Sequence, residues 1–116
     1  MKVLVCGSRG WKDREVIRNR LELLPKGSRI IHGGAEGADM MAGKEASRLH
    51  FWVSAYFPDY ETHGKRAPLL RNNKMLDQKP DLVLCFWDGK SPGTRYTLAR
   101  AKRLGIPVEV VSSAGP

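Results

Sequence analysis

The chain reads as one α/β domain on a doubly wound parallel sheet, and three observations predict it. Short apolar runs alternate with amphipathic stretches along its whole length. Three of these runs are followed at once by glycine-bearing loops: Gly7-Ser8-Arg9, Gly33-Gly34-Ala35-Glu36-Gly37, and Asp88 to Thr94. Each loop gives way to a helix-like segment. The strands of an open parallel sheet point their carboxyl ends to one edge, so these distant loops converge there on a common crevice.

Lys2 to Cys6 is a short apolar strand. Asp13 to Leu24 places Ile17, Leu21 and Leu24 on one helical face, and Pro25-Lys26-Gly27 stops it. Arg29 to His32 is the second strand, and Ala38, Met41, Ala42, Ala46 and Leu49 mark the inner face of the next helix. Trp52 to Phe57, aromatic and β-branched, is the third strand, with a polar loop from Pro58 to Arg66 after it. A third helix is expected from Ala67 to Asp77, where Pro68 is acceptable in the first turn. Asp81 to Trp87 is an apolar strand buried on both faces, Thr94 to Leu104 a helix with Leu98, Ala101 and Leu104 inward, and Pro107 to Val111 the last strand.

The predicted architecture is therefore a Rossmann-like sheet of about five strands in the order 3-2-1-4-5 with four helices. Its switch point falls between the first and fourth strands. Residues 1–111 form the domain, and 112–116 are expected to be a flexible tail.

A chain of 116 residues has room for one compact domain, so the function is expected to sit on it. No run approaches the roughly 18 apolar residues of a membrane span, and Val3 to Cys6 is too short for a signal peptide. A cytoplasmic protein without membrane partners is expected. Cys6 and Cys85, each near the end of a strand, read as inert core thiols rather than a disulfide framework. The net charge of +8 is concentrated in two acid-free stretches. One carries Lys65, Arg66, Arg71 and Lys74, the other Arg95, Arg100, Lys102 and Arg103, and together they supply the whole excess. An anionic partner follows, nucleotide or nucleic acid, with helix-surface solubility as the plain alternative.

The Gly33 to Gly37 loop is the most informative of the three, because glycines let backbone N–H groups approach an anion and a helix follows directly. It lacks the G-x-G-x-x-G spacing and follows the second strand, which argues against a nicotinamide dehydrogenase. Asp39 is expected to cap the following helix or to meet the ligand. Arg9, after Gly7-Ser8, can grip a phosphate bidentately, while Ser91, Gly93 and Thr94 supply hydroxyls and a helix N-terminus on the opposite wall. Capping that helix is the alternative role for Ser91 or Thr94, and it is compatible with ligand binding. Arg71-Asn72 are candidates for ribose, phosphate or base contacts. Gly7, Ser8, Arg9, Gly33, Gly34, Glu36, Gly37, Asp39, Arg71, Asn72, Ser91, Gly93 and Thr94 form the candidate nucleotide site.

These same motifs, with His32, Phe57-Pro58, His63-Gly64-Lys65 and Met75, resemble the YspA/YpsA-related branch of the SLOG superfamily over nearly the whole chain. That superfamily joins the DNA-processing protein A type of single-stranded DNA binders with the Lonely Guy phosphoribohydrolases. The resemblance implies a nucleotide or ADP-ribose-like ligand, a sensing role, and a tendency to form homo-oligomers. The hydrolases pair Arg-Lys-x-x-Met with Pro-Gly-Gly-x-Gly-Thr-x-Glu-Glu. This chain keeps Arg71 and Met75 but has Asn72 for the lysine, and Tyr96 and Thr97 where the glutamates fall. A neutral pair supplies no carboxylate for cleavage of an N-glycosidic bond, which disfavours that activity and leaves no catalytic residue assigned. Arg71-Asn72 and Ser91-Pro92-Gly93-Thr94-Arg95-Tyr96-Thr97 also look like the DNA-processing pattern, so single-stranded nucleic acid is the alternative partner. Trp11 and Tyr96 are offered for base stacking, and Trp52 and Trp87 for the core. No metal or other cofactor is expected: His32, His50 and His63 show no ligand spacing.

Overall fold

The computed structural model describes residues 1–112. Five strands, β1 (Lys2–Gly7), β2 (Arg29–His32), β3 (Trp52–Ala55), β4 (Leu82–Trp87) and β5 (Val108–Ser112), form one sheet in the order β3-β2-β1-β4-β5. Every pairing is parallel. Helices α1 (Arg14–Leu21), α2 (Ala38–Arg48), α4 (Ala67–Leu76) and α5 (Pro92–Arg103) make the connections, as the apolar spacing predicts. Ser112 closes β5, and the rest of the expected tail lies outside the described residues.

The two faces of the sheet hold separate cores. Val3, Val5, Ile30, Leu84 and Phe86 pack with Ile17 and Leu21 of α1 and with Ala38, Ala42 and Ala46 of α2. Leu4, Cys6, Ile31, Val83 and Cys85 pack on the other face with Met75 and Leu76 of α4 and Leu98 and Ala101 of α5. Side chains of a strand point alternately to opposite faces, and only a strand covered twice can be apolar throughout. The inner residues of β1 and β4 are accordingly buried without interruption.

Four expectations differ from the structure. The segment expected as a polar loop holds the one-turn helix α3 (Tyr60–His63), whose Thr62 amide donates to Asp59 Oδ1 at 3.1 Å, and a 3-10 turn over Gly64–Arg66. Such single turns carry no apolar period to betray them. Trp11, offered for base stacking, is buried: its ring meets Phe86 edge-on at 5.6 Å and its Nε1 donates to the Asp13 carbonyl at 2.8 Å. Trp52, expected in the core, is 69% exposed, because β3 is an edge strand. Helix α5 also starts two residues early, at Pro92, whose fixed φ and missing N–H suit a first helical position.

Candidate functional site

The switch point between β1 and β4 opens into a cleft of about 580 Å³. The loop after β1 forms one wall, the loop after β4 with the start of α5 the other, and α4 the roof. Of the candidate residues, the cleft brings together Gly7, Ser8, Arg9, Asp39, Arg71, Asn72, Ser91, Gly93 and Thr94. Gly33, Gly34 and Glu36 line an adjoining chamber of about 320 Å³, which Arg9, Ala35 and Arg71 share with the cleft. Gly37 lines neither cavity. It holds φ +83°, and a Cβ there would collide with the carbonyl oxygens of Ser8 and Arg9, so its part is to let α2 close against the first loop.

Ser8 ties the walls together. It is buried; its amide donates to the Phe86 carbonyl at 2.9 Å, and its Oγ accepts from the Asp88 amide at 2.8 Å. Thr94 Oγ1 reaches the Gly7 carbonyl at 3.3 Å and Ser91 Oγ at 3.2 Å. Neither hydroxyl caps α5, whose Ser91 N-cap makes no side-chain cap bond and whose first turn has no acidic residue. The amides of Gly93 and Thr94 therefore keep the orphan donors of a helix start at the edge of the cleft.

The glycine loop after β2 differs from the expectation of a row of free donors. Asp39 Oδ2 accepts from the Gly33 amide at 2.9 Å and the Ala35 amide at 3.3 Å, and His32 Nδ1 accepts from the Gly34 amide at 3.0 Å. Asp39 thus braces its own loop instead of capping α2, whose Gly37 N-cap has no side-chain partner. Burial pushes the Asp39 carboxyl up to about 6, against the pull of those two amides and of Arg71 and Arg9. Burial, with Arg71 nearby, also lowers the His32 imidazole; accepting at Nδ1, it is neutral.

Arg71 spans the junction of cleft and chamber. Its Nη1 donates to the Gly33 carbonyl and, at 3.4 Å, to the Tyr56 carbonyl, and its Nε donates to Asn72 Oδ1 at 2.8 Å. Burial lowers its guanidinium from the usual value, while Asp39 and Tyr60 act the other way. Arg9, across the junction, is exposed and makes no side-chain hydrogen bond or ion pair among the described residues. One guanidinium is fixed in place and the other is free to close on an anion.

Several lining residues escaped the sequence reading. Pro68 and Leu69 line the cleft from α4, Lys90 adds a cation from the loop after β4, and Pro58 and Tyr60 line the chamber. Tyr60 lay in the supposed loop, and only its neighbour Asp59, a cap residue ahead of Thr62, signalled a helix start. Tyr96 lines neither cavity, its hydroxyl donating to Asn73 Oδ1 at 3.0 Å, whereas Thr97 lines the cleft with its Oγ1 donating to the Gly93 carbonyl at 3.1 Å.

Comparison with known proteins agrees with this architecture. Residues 1–63 match the family described as YspA, cpYpsA-related SLOG. The chain is 38% identical over 116 residues to the gene 61 protein of Mycobacterium phage D29, covering 92% of this chain and 93% of that protein. Among solved structures it is similar to DNA processing protein A (DprA) of Streptococcus pneumoniae, with TM-score 0.77, 20% identity, 94% of this chain covered and 49% of that one. It is also similar to the structural-genomics target TM1055, with TM-score 0.71, 23% identity, 92% of this chain covered and 71% of that one. At such identities these two likenesses bear on the fold, and the chain spans about half the length of DprA.

Proposed function

The chain belongs to the YspA, cpYpsA-related SLOG family, and from that premise we propose that it binds a nucleotide or nucleotide derivative in the cleft between β1 and β4. The observation that carries this reading is the pairing of unspent donors with unpaired charge around one cavity. The Gly93 and Thr94 amides at the start of α5 face the same space as Arg9. A phosphate placed there meets a helix N-terminus and a bidentate guanidinium together. The cleft volume falls within the usual range for ligand pockets, about 300–1,000 Å³. In this reading the phosphate sits on the β4–α5 side, and the Gly33 to Gly37 loop serves as a scaffold braced by Asp39.

A second reading, single-stranded nucleic acid, is favoured by one observation. The eight cations of the two acid-free stretches enter none of the ion pairs among the described residues, which join Arg18 and Arg48 to Glu45 and Arg20 to Glu109. Unpaired positive charge on that scale attracts a polyanion. Cleavage of a nucleotide's N-glycosidic bond draws no support, since Tyr96 and Thr97 carry no carboxylate and Asp39 is held by two amides.

Thermal unfolding against AMP, ADP-ribose, NAD, cyclic nucleotides and a short DNA strand, at low and moderate salt, tests the proposal. A ligand at ~100 times its Kd adds about 2.7 kcal/mol, a shift of several degrees for a domain of this size. Salt-tolerant stabilisation by a small nucleotide is the expected result. Stabilisation by DNA alone, vanishing with salt, transfers the function to the second reading.

A further inference from the structure

The cleft accounts for one nucleoside and its phosphate, but the chamber beside it is unused by that reading. Cleft and chamber meet at Arg9, Ala35 and Arg71, so two cations stand where a ligand would cross from one to the other. The chamber's outer side is aromatic. Tyr60, on the one-turn helix α3, lines it and is 56% exposed; Phe57, 67% exposed, lies with its ring against Gly34, which also lines it. A Cβ at Gly34 would collide with the Phe57 ring, so the loop's glycine is what allows this approach. Exposed rings beside arginines, at the rim of a cavity, present the surface on which a base stacks, and stacking is tolerant of base identity.

We propose that the ligand is a two-unit nucleotide: two nucleosides joined through a phosphate bridge, with the bridge between Arg9 and Arg71. One nucleoside occupies the cleft and the base of the other stacks on Tyr60 and Phe57. This deepens the nucleotide reading above and rests on it. The division of labour follows from the geometry. Arg71, already bound to the Gly33 and Tyr56 carbonyls, holds a fixed charge at the crossing, and Arg9 supplies the adjustable one. Asn72, whose Oδ1 accepts from Arg71 Nε, keeps that guanidinium from swinging into the cleft.

Calorimetric titration of the whole chain with AMP, NAD and the dinucleotide pApA tests this, alongside a Phe57→Ala, Tyr60→Ala double variant whose rings are exposed and whose fold is checked by its unperturbed thermal unfolding. The expected result is a two-unit probe binding about tenfold more tightly than AMP, with the double variant erasing that advantage and leaving AMP affinity unchanged. Preference for NAD assigns the ligand to free pyrophosphate-bridged dinucleotides, and preference for pApA to a segment of a strand. Equal affinity for AMP and both two-unit probes overturns the inference and leaves the nucleotide reading standing. So does a double variant that keeps the advantage. Failure of all three probes to bind overturns both.

Discussion

Arg9 and Arg71 lie at the same junction but differ in what else they hold. Arg9 has no partner to lose among the described residues, so Arg9→Ala should weaken nucleotide binding by about 1.5–3 kcal/mol, the range for hydrogen bonds to charged groups, and leave the unfolding temperature unchanged. Arg71→Ala should lower both, because the part-buried carbonyls of Gly33 and Tyr56 then lose a donor. Calorimetry with parallel thermal melts separates the two. Equal melting losses would show that Arg9 is structural as well.

Asp39 gives a pH prediction of definite sign. Its carboxyl is raised in the folded state from 3.8 to about 6, so the fold prefers the protonated form. The stabilisation associated with that form is full below the unfolded value and is lost as pH rises through about 6. Asp39→Asn keeps an oxygen for the Gly33 and Ala35 amides and removes the charge. It should stabilise the protein at pH 7 by up to about 3 kcal/mol, with the difference from wild type vanishing below pH ~4. Melts across this range check it, and a pH-independent difference would contradict it.

The elements explain which residues the sequence exposes to view. Central strands β1 and β4 were legible because twofold burial writes an unbroken apolar run, and α1, α2 and α5 because one inward face writes a helical period. The α3 turn and the 3-10 turn after it were not, since neither buries a face. Gly37 shows how loop and element depend on each other: its amide-rich loop suggested ligand binding, yet its missing Cβ serves the closure of α2 onto Ser8, whose carbonyl accepts from the Ala38 amide at 3.1 Å. Gly37→Ala should therefore cost at least about 3 kcal/mol by denaturant unfolding, and a cost under 1 kcal/mol would mean the first loop yields easily.

Cys6 and Cys85 are directly paired across β1 and β4. Hydrogen bonding to Cys85, then burial, pushes the Cys6 thiol well above its ordinary value. With Cys85 fully buried and Cys6 buried but for an edge on the cleft, native protein should react with iodoacetamide far more slowly than unfolded protein, which mass spectrometry can read. Prompt native labelling of Cys85, which does not line the cleft, would show that β1 and β4 open there.

At the scale of the molecule, topology does what no single motif does. The sheet order brings the loops after β1 and β4 to one crevice, and this much followed from alternating elements and handed crossovers. The roles within the crevice did not follow, because a glycine-rich loop looks the same whether its amides face a ligand or a buried aspartate. Only the contacts from Asp39 and His32 distinguish the two. The positions of Trp11 and Trp52 were hidden for a similar reason: burial of an aromatic depends on which strand is the edge and how a loop folds back.

The most direct test of the central claim is an amide-resolved NMR titration of this 116-residue chain with AMP. Binding as described shifts the Gly93 and Thr94 amides first, together with Arg9, and disturbs the already bonded Gly33 and Gly34 amides less. Shifts confined to the outer faces of α1 and α2, or to Gly33 and Gly34 with Gly93 and Thr94 silent, would contradict it.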